Sequence, residues 1–194
     1  MSASARVPTH MSVPDFLAWN APSGQKWQLI DGEPQAKAPA NRTHGSLQTE
    51  LGWLLTSHFR AVGLPCVAVT EPGIVPRALA ANNVRIPDLA VTCTSYDDEE
   101  ATLRDPILIV EILSPSNAAE TWTNIWAYTS IPSVREILIL HTTQICADLL
   151  RRDPNGNWPE TPTTIARGDL ALESVTLTVP LASLYRTTRL ARPG

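Results

Sequence analysis

The chain has 194 residues, 43% of them hydrophobic and 18% charged, with 15 basic and 19 acidic side chains for a net charge of −4. Those figures exclude intrinsic disorder and suit a soluble chain long enough to bury a core without a stabilising metal or disulfide. The acidic balance is a poor match to a tight, salt-sensitive DNA binder with a broad basic face, although a local patch can still engage nucleic acid.

Residues 1–11 read as a loose tail and 12–190 as a single domain. The segment 12–19 reads as a short helix with Ser12 as N-cap and Pro14 in its first turn. A short strand over 27–31 follows, and Gly32 permits a turn into the segment that starts at Glu33. Asn41 is placed to cap the clearest helix, where Leu47, Leu51, Leu54, Leu55, Phe59 and Val62 form one apolar stripe, and Gly63 stops it. Strands are expected over 66–70, 73–76, 84–86, 88–93 and 107–113, then a helix over 118–128. Strands over 135–141 and 144–151 follow as a hairpin, with short strands and a turn of helix over 181–185 at the end. The expected class is α/β, a mixed sheet flanked by helices with extra antiparallel strands toward the C-terminus.

No apolar stretch approaches the ~18 residues of a membrane span. Residues 1–10 lack the apolar segment of a signal peptide, so a cytoplasmic protein with no membrane partner is expected. Cys66, Cys93 and Cys146 are odd in number and show no Cys-x-x-Cys spacing. Each is expected as a buried small hydrophobe. Trp122 and Trp126 lie four apart on one helix face, expected to bury against the sheet or a partner subunit.

One position stands out chemically. Glu111 interrupts the apolar run 107–113, the pattern of a strand buried on both faces. A buried carboxylate requires a metal ion, an arginine or a hydrogen-bonded neutral state. Asp88 opens the strand after Pro87, and the loop to residue 106 is long enough to return the next strand antiparallel beside it. Both carboxylates then meet at one end of the sheet, where a hard dication, Mg²⁺ or Mn²⁺, would relieve their repulsion. Glu33 is a third candidate, with a solvated turn carboxylate as the alternative reading. His44, His58 and His141 have no partner at ligand spacing, and His44 reads as a surface or capping residue. Ser114 and Ser116 lack a nucleophile elbow, and there is no phosphate-binding glycine motif.

The segments Trp27-Gln-Leu-Ile-Asp-Gly-Glu33, His44, Arg85-Ile-Pro-Asp-Leu-Ala-Val91 and Asp105-Pro-Ile-Leu-Ile-Val-Glu-Ile-Leu-Ser-Pro-Ser116 resemble the bacterial putative restriction endonuclease family of the PD-(D/E)XK nuclease superfamily, over about 12–186. The resemblance implies a restriction-endonuclease-like core, homodimers among relatives, and a metal-dependent endonuclease acting on nucleic acid, DNA foremost. It makes Asp88 and Glu111 metal ligands with the Ile112 carbonyl nearby, and Glu33 the helper carboxylate. The superfamily's lysine position is Leu113 here. The helix lysine usual in this family falls near Asn124, which takes that catalytic place without a charge, and Glu120 replaces a usual aspartate. The only lysines are Lys26 and Lys37. The missing cation leaves Lys37, Arg42 or Arg85 as substitutes. The alternatives are a non-catalytic relative that binds nucleic acid or serves assembly, and an unrelated protein in which Glu111 is only salt-bridged.

Overall fold

Helix α2 (Arg42–Val62) begins where the Asn41 side chain accepts the His44 backbone N–H and ends at Gly63, whose φ of 70° is left-handed. Its Leu47, Leu51, Leu55 and Phe59 are buried in one stripe; Val62, expected to extend it, is 54% exposed. The shorter α1 (Val13–Leu17) opens on a capping box between Ser12 and Asp15. These features belong to a computed structural model, which describes residues 7–78, 80–95, 97, 100–115 and 118–192. Residues 1–6 of the expected tail and Ser116 lie outside that set.

Strands β1 (Trp27–Ile30) and β2 (Glu33–Ala36) form an antiparallel hairpin. Its two-residue turn, Asp31 and Gly32, has positive φ at both positions, as a tight hairpin turn demands. The main sheet has six strands in sequential order: β3 (Val67–Thr70), β4 (Leu89–Thr92), β5 (Pro106–Leu113), β6 (Glu136–His141), β7 (Ala147–Arg151) and β8 (Thr163–Ile165). All neighbours are antiparallel except β5 and β6, which α3 (Ala118–Tyr128) connects as a parallel pair. A second hairpin, β9 (Asp169–Leu172) and β10 (Leu177–Pro180), precedes a 3-10 turn over Leu181–Tyr185.

Strand alternation divides the core between two faces. Leu89, Val91, Leu108, Val110 and Ile112 pack with the α2 stripe and the β9–β10 hairpin. Ala90, Ile109, Ile137 and Ile139 pack with Ile125 and Tyr128 of α3. The expected mixed sheet between helices is the observed one.

Two expectations are corrected. The segments 73–76 and 84–86, both expected as strands, make only isolated bridges, Ile74 to Arg85 and Leu29 to Val84, because Pro72, Pro76 and Pro87 remove donors that a ladder needs. Cys66 and Cys93 are joined in a disulfide rather than buried free; Val67 pairs with Thr92, so the next cross-strand pair outward is 66 with 93. Cys146 is the buried free thiol expected. On α3, Thr121, Asn124, Ile125 and Tyr128 face inward; of the two expected places for the Trp122–Trp126 face, sheet or partner subunit, the sheet takes only part of Trp122, and Trp126 is 49% exposed in the single chain.

Candidate active site

Leu89 pairs with Val110 in the β4–β5 ladder, so continuing the register by one residue sets Asp88 opposite Glu111. The antiparallel return expected from the loop length therefore brings the two acids together on the α3 face of the sheet. Both are 3% exposed and both line a cavity of about 540 Å³.

Asp88 is held from several sides. Its Oδ2 accepts the Ile112 backbone N–H at 2.6 Å, and its Oδ1 lies 3.1 Å from His44 Nε2 and 3.7 Å from Lys37 Nζ. Its backbone carbonyl accepts from the Gln48 side chain at 2.7 Å and from the Glu71 N–H at 3.1 Å. Burial pulls the Asp88 carboxyl upward, but the His44 hydrogen bond, the Lys37 and His44 charges and the Ile112 amide outweigh it, and it rests below its ordinary value.

Glu111 goes the other way. Burial first, and the charge of Asp88 second, push it up to about 8, against the pull of Lys37 and of the Tyr128 hydroxyl that donates to its Oε1 at 2.9 Å. Glu136 makes the comparison instructive, because it too is a buried acid in an apolar strand. Glu136 receives the Arg151 guanidinium at 2.7 Å and the backbone N–H groups of Glu173 and Ser174. Among the described residues Glu111 has no such arginine. The structural ion pair describes Glu136, not Glu111.

The remaining candidates fall on both sides of the cavity's boundary. Asn124 lines it, yet its Oδ1 accepts from Arg85 Nη1 at 2.9 Å, so α3 brings no cation there. Arg85 is buried on that amide, its pKa lowered by desolvation, and Arg42 lines a separate depression with Glu50. Ile112 contributes its N–H to Asp88. Glu33 is exposed at the start of β2 and is not among the cavity's lining residues; Glu120, holding the Gln28 side chain, and Glu71 are.

Sequence reasoning missed two residues. His44 is not a surface residue: it is 7% exposed and faces Asp88 while its backbone is capped by Asn41. Lys37, considered only as one of three substitutes, is the cation beside Asp88. Trp27 pairs with Ala36, and the Lys37 N–H donates to the Lys26 carbonyl at 2.8 Å, so both lysines of the chain sit opposite each other at the open end of the β1–β2 hairpin. Both line the cavity. The signal was available in the hairpin register, but the destination of that end was not.

The donors fit a hard dication. Asp88 and Glu111 offer only oxygen, and each carboxylate retains lone-pair capacity beyond the bonds it accepts. The mutual repulsion expressed in Glu111 is what such an ion would relieve. A separate group, His141, Cys146 and Asp148 in the β6–β7 hairpin, brings three ligand atoms within 4.8 Å of one another. There Asp148 is already engaged, by His141 at 2.8 Å and by the Thr164 hydroxyl at 2.6 Å.

Among the described residues no helix is long and apolar enough to cross a membrane. No curated protein matches the chain. Its fold is similar to a crystal structure described as a putative nuclease belonging to DUF820 from Anabaena variabilis ATCC 29413. The TM-score is 0.73 at 14% identity, over 90% of this chain and 97% of that one. The family model of Uma2, described as putative restriction endonuclease, matches residues 13–182. With nearly the whole chain matched and its fold shared by a nuclease-like structure, this protein belongs to the Uma2 putative restriction endonuclease family.

Proposed function

We propose that the chain is a metal-dependent endonuclease that hydrolyses phosphodiester bonds in nucleic acid, with DNA the foremost substrate. One observation carries this reading: two buried carboxylates, Asp88 and Glu111, stand opposite each other in a cavity, and Glu111 lacks the arginine that satisfies its counterpart Glu136. Asp88 and Glu111 would hold Mg²⁺ or Mn²⁺. When bound, that ion supplies neutralising charge at the phosphate and acidifies water. The protein fixes the Asp88 carboxylate through His44 and the Ile112 amide, and excludes bulk water by burying both acids.

The test is Mn²⁺ titration by calorimetry of wild type, Asp88→Ala and Glu111→Ala, followed by incubation with supercoiled plasmid DNA. Wild type is expected to bind Mn²⁺ and nick the plasmid, and both variants to lose binding and cleavage while keeping their fold. An Asp88→Ala protein that nicks as fast as wild type sinks the reading. The engagement of Asn124 with Arg85 favours a second reading, a non-catalytic relative that binds nucleic acid or serves assembly. Its signature is metal-independent DNA binding without turnover.

A further inference from the structure

The cavity has four carboxylic side chains in its wall, from Glu71, Asp88, Glu111 and Glu120, and two ammonium groups, Lys26 and Lys37. A phosphodiester under attack gains negative charge, so the wall needs a cation aimed at the reacting centre. Lys26 is spoken for: it pairs with Glu71, and its side chain is 59% exposed. Arg85 is closed off on Asn124, and Arg42 faces elsewhere. Among the described lysines and arginines, Lys37 is the one placed at the acid pair, on the same Asp88 oxygen that His44 faces. Its side chain is 18% exposed, and its Nζ donates to the Ile86 carbonyl at 2.6 Å and lies 3.7 Å from Asp88 Oδ1. An ammonium has three N–H donors, so donor capacity remains beyond the Ile86 bond. Two lysines facing each other across a hairpin repel. Here separate partners, Glu71 and Asp88, hold the two charges.

We infer that Lys37, delivered by the β1–β2 hairpin, is the catalytic cation of this site, replacing the one that α3 does not supply. This rests on the nuclease reading above. In the step it serves, a water oxygen forms a bond to phosphorus while the bond from phosphorus to the departing sugar oxygen breaks. The attacking water gives its proton to solvent water, and the departing oxygen takes one from solvent. Lys37 stays protonated throughout and donates to the attacking water and a non-bridging phosphate oxygen.

The test compares Lys37→Met with wild type in two measurements, plasmid nicking in Mn²⁺ and Mn²⁺ affinity by calorimetry. Cleavage is expected to fall about 100- to 1000-fold. Mn²⁺ binding is expected to tighten, by about three- to tenfold, because a dication held at Asp88 is no longer repelled by the ammonium 3.7 Å from that carboxylate. Should Lys37→Met melt early, Lys37→Cys carries the comparison before and after alkylation with 2-bromoethylamine, which rebuilds an ammonium at that position. Wild type treated with the same reagent is the control, and regained nicking is expected. Cleavage by Lys37→Met at the wild-type rate overturns the role of Lys37 and leaves the nuclease reading standing. Loss of Mn²⁺ binding together with cleavage makes Lys37 a prop for Asp88 and likewise overturns it. A wild type that binds Mn²⁺ and cleaves neither DNA nor RNA overturns both.

Discussion

Tyr128 of α3 donates its hydroxyl to Glu111 of β5 over 2.9 Å, with the tyrosine fully buried. Burial, then the Glu111 charge, hold that phenol well above its ordinary range, so it stays a donor at any working pH. The bond favours the ionised carboxylate. Tyr128→Phe should therefore raise Glu111 further above about 8 and weaken Mn²⁺ binding at pH 7 by about tenfold, one unit of pKa. Calorimetry at pH 7 and pH 9 checks this, the gap from wild type narrowing at the higher pH. Equal affinities at pH 7 would show that the hydroxyl does not tune the acid.

The same carboxyl sets a pH dependence of folding. Its value is about 8 in the folded chain against an ordinary 4.5, so between those limits the folded state holds a proton that the unfolded chain has released. Its contribution is fully present below about pH 4.5 and lost as pH rises through about 8. Urea midpoints measured in chelator should show this fall between pH 5 and 8.5, flattened in Glu111→Gln. Saturating Mn²⁺ should oppose it, since binding releases the proton. A wild-type slope no steeper than that of Glu111→Gln would contradict the assignment.

Asn124 has a structural duty measurable apart from chemistry. Its amide oxygen takes a charge-assisted bond from Arg85, whose Nε already has no partner. Asn124→Ala should cost about 2 kcal/mol of stability, read from urea denaturation. Unchanged stability with lost cleavage would return Asn124 to a purely chemical role.

The disulfide joins residues 27 apart in sequence, Cys66 before β3 and Cys93 after β4. Closing a loop of that length in the unfolded chain is worth about 3.5 kcal/mol. Dithiothreitol, or Cys66→Ser with Cys93→Ser, should lower the melting temperature by several degrees. An unchanged melting curve would show the bond absent or without effect.

What was legible in the sequence was mostly what is decided locally. Asn41 and Gly63 bound α2 because caps act within one turn, and the unbroken apolar run marks β5 as an interior strand. The meeting of Asp88 and Glu111 followed from loop length and strand direction. His44 escaped because helix spacing says which face a residue lies on, not which strand end that face meets; its partner is 44 residues away. The pairing of Cys66 with Cys93 depended on the β3–β4 register, which neither strand displays alone. Glu136 and Glu111 look alike in sequence, and only the arrival of Arg151 and the 173–174 amides from distant segments separates them.

The hairpin that carries Lys26 and Lys37 gives the molecule a labelling chemistry of its own. Apart from a terminal α-amino group, amine-reactive dyes, cross-linkers and sensor surfaces have nowhere else to attach, since every other basic side chain that could compete is an arginine or a histidine. Coupling through the lysines therefore ties the protein down by the rim and wall of its own cavity. A sample immobilised through its lysines would be masked at that cavity, whereas brief acylation in solution, with and without an occupant, becomes a footprint of it.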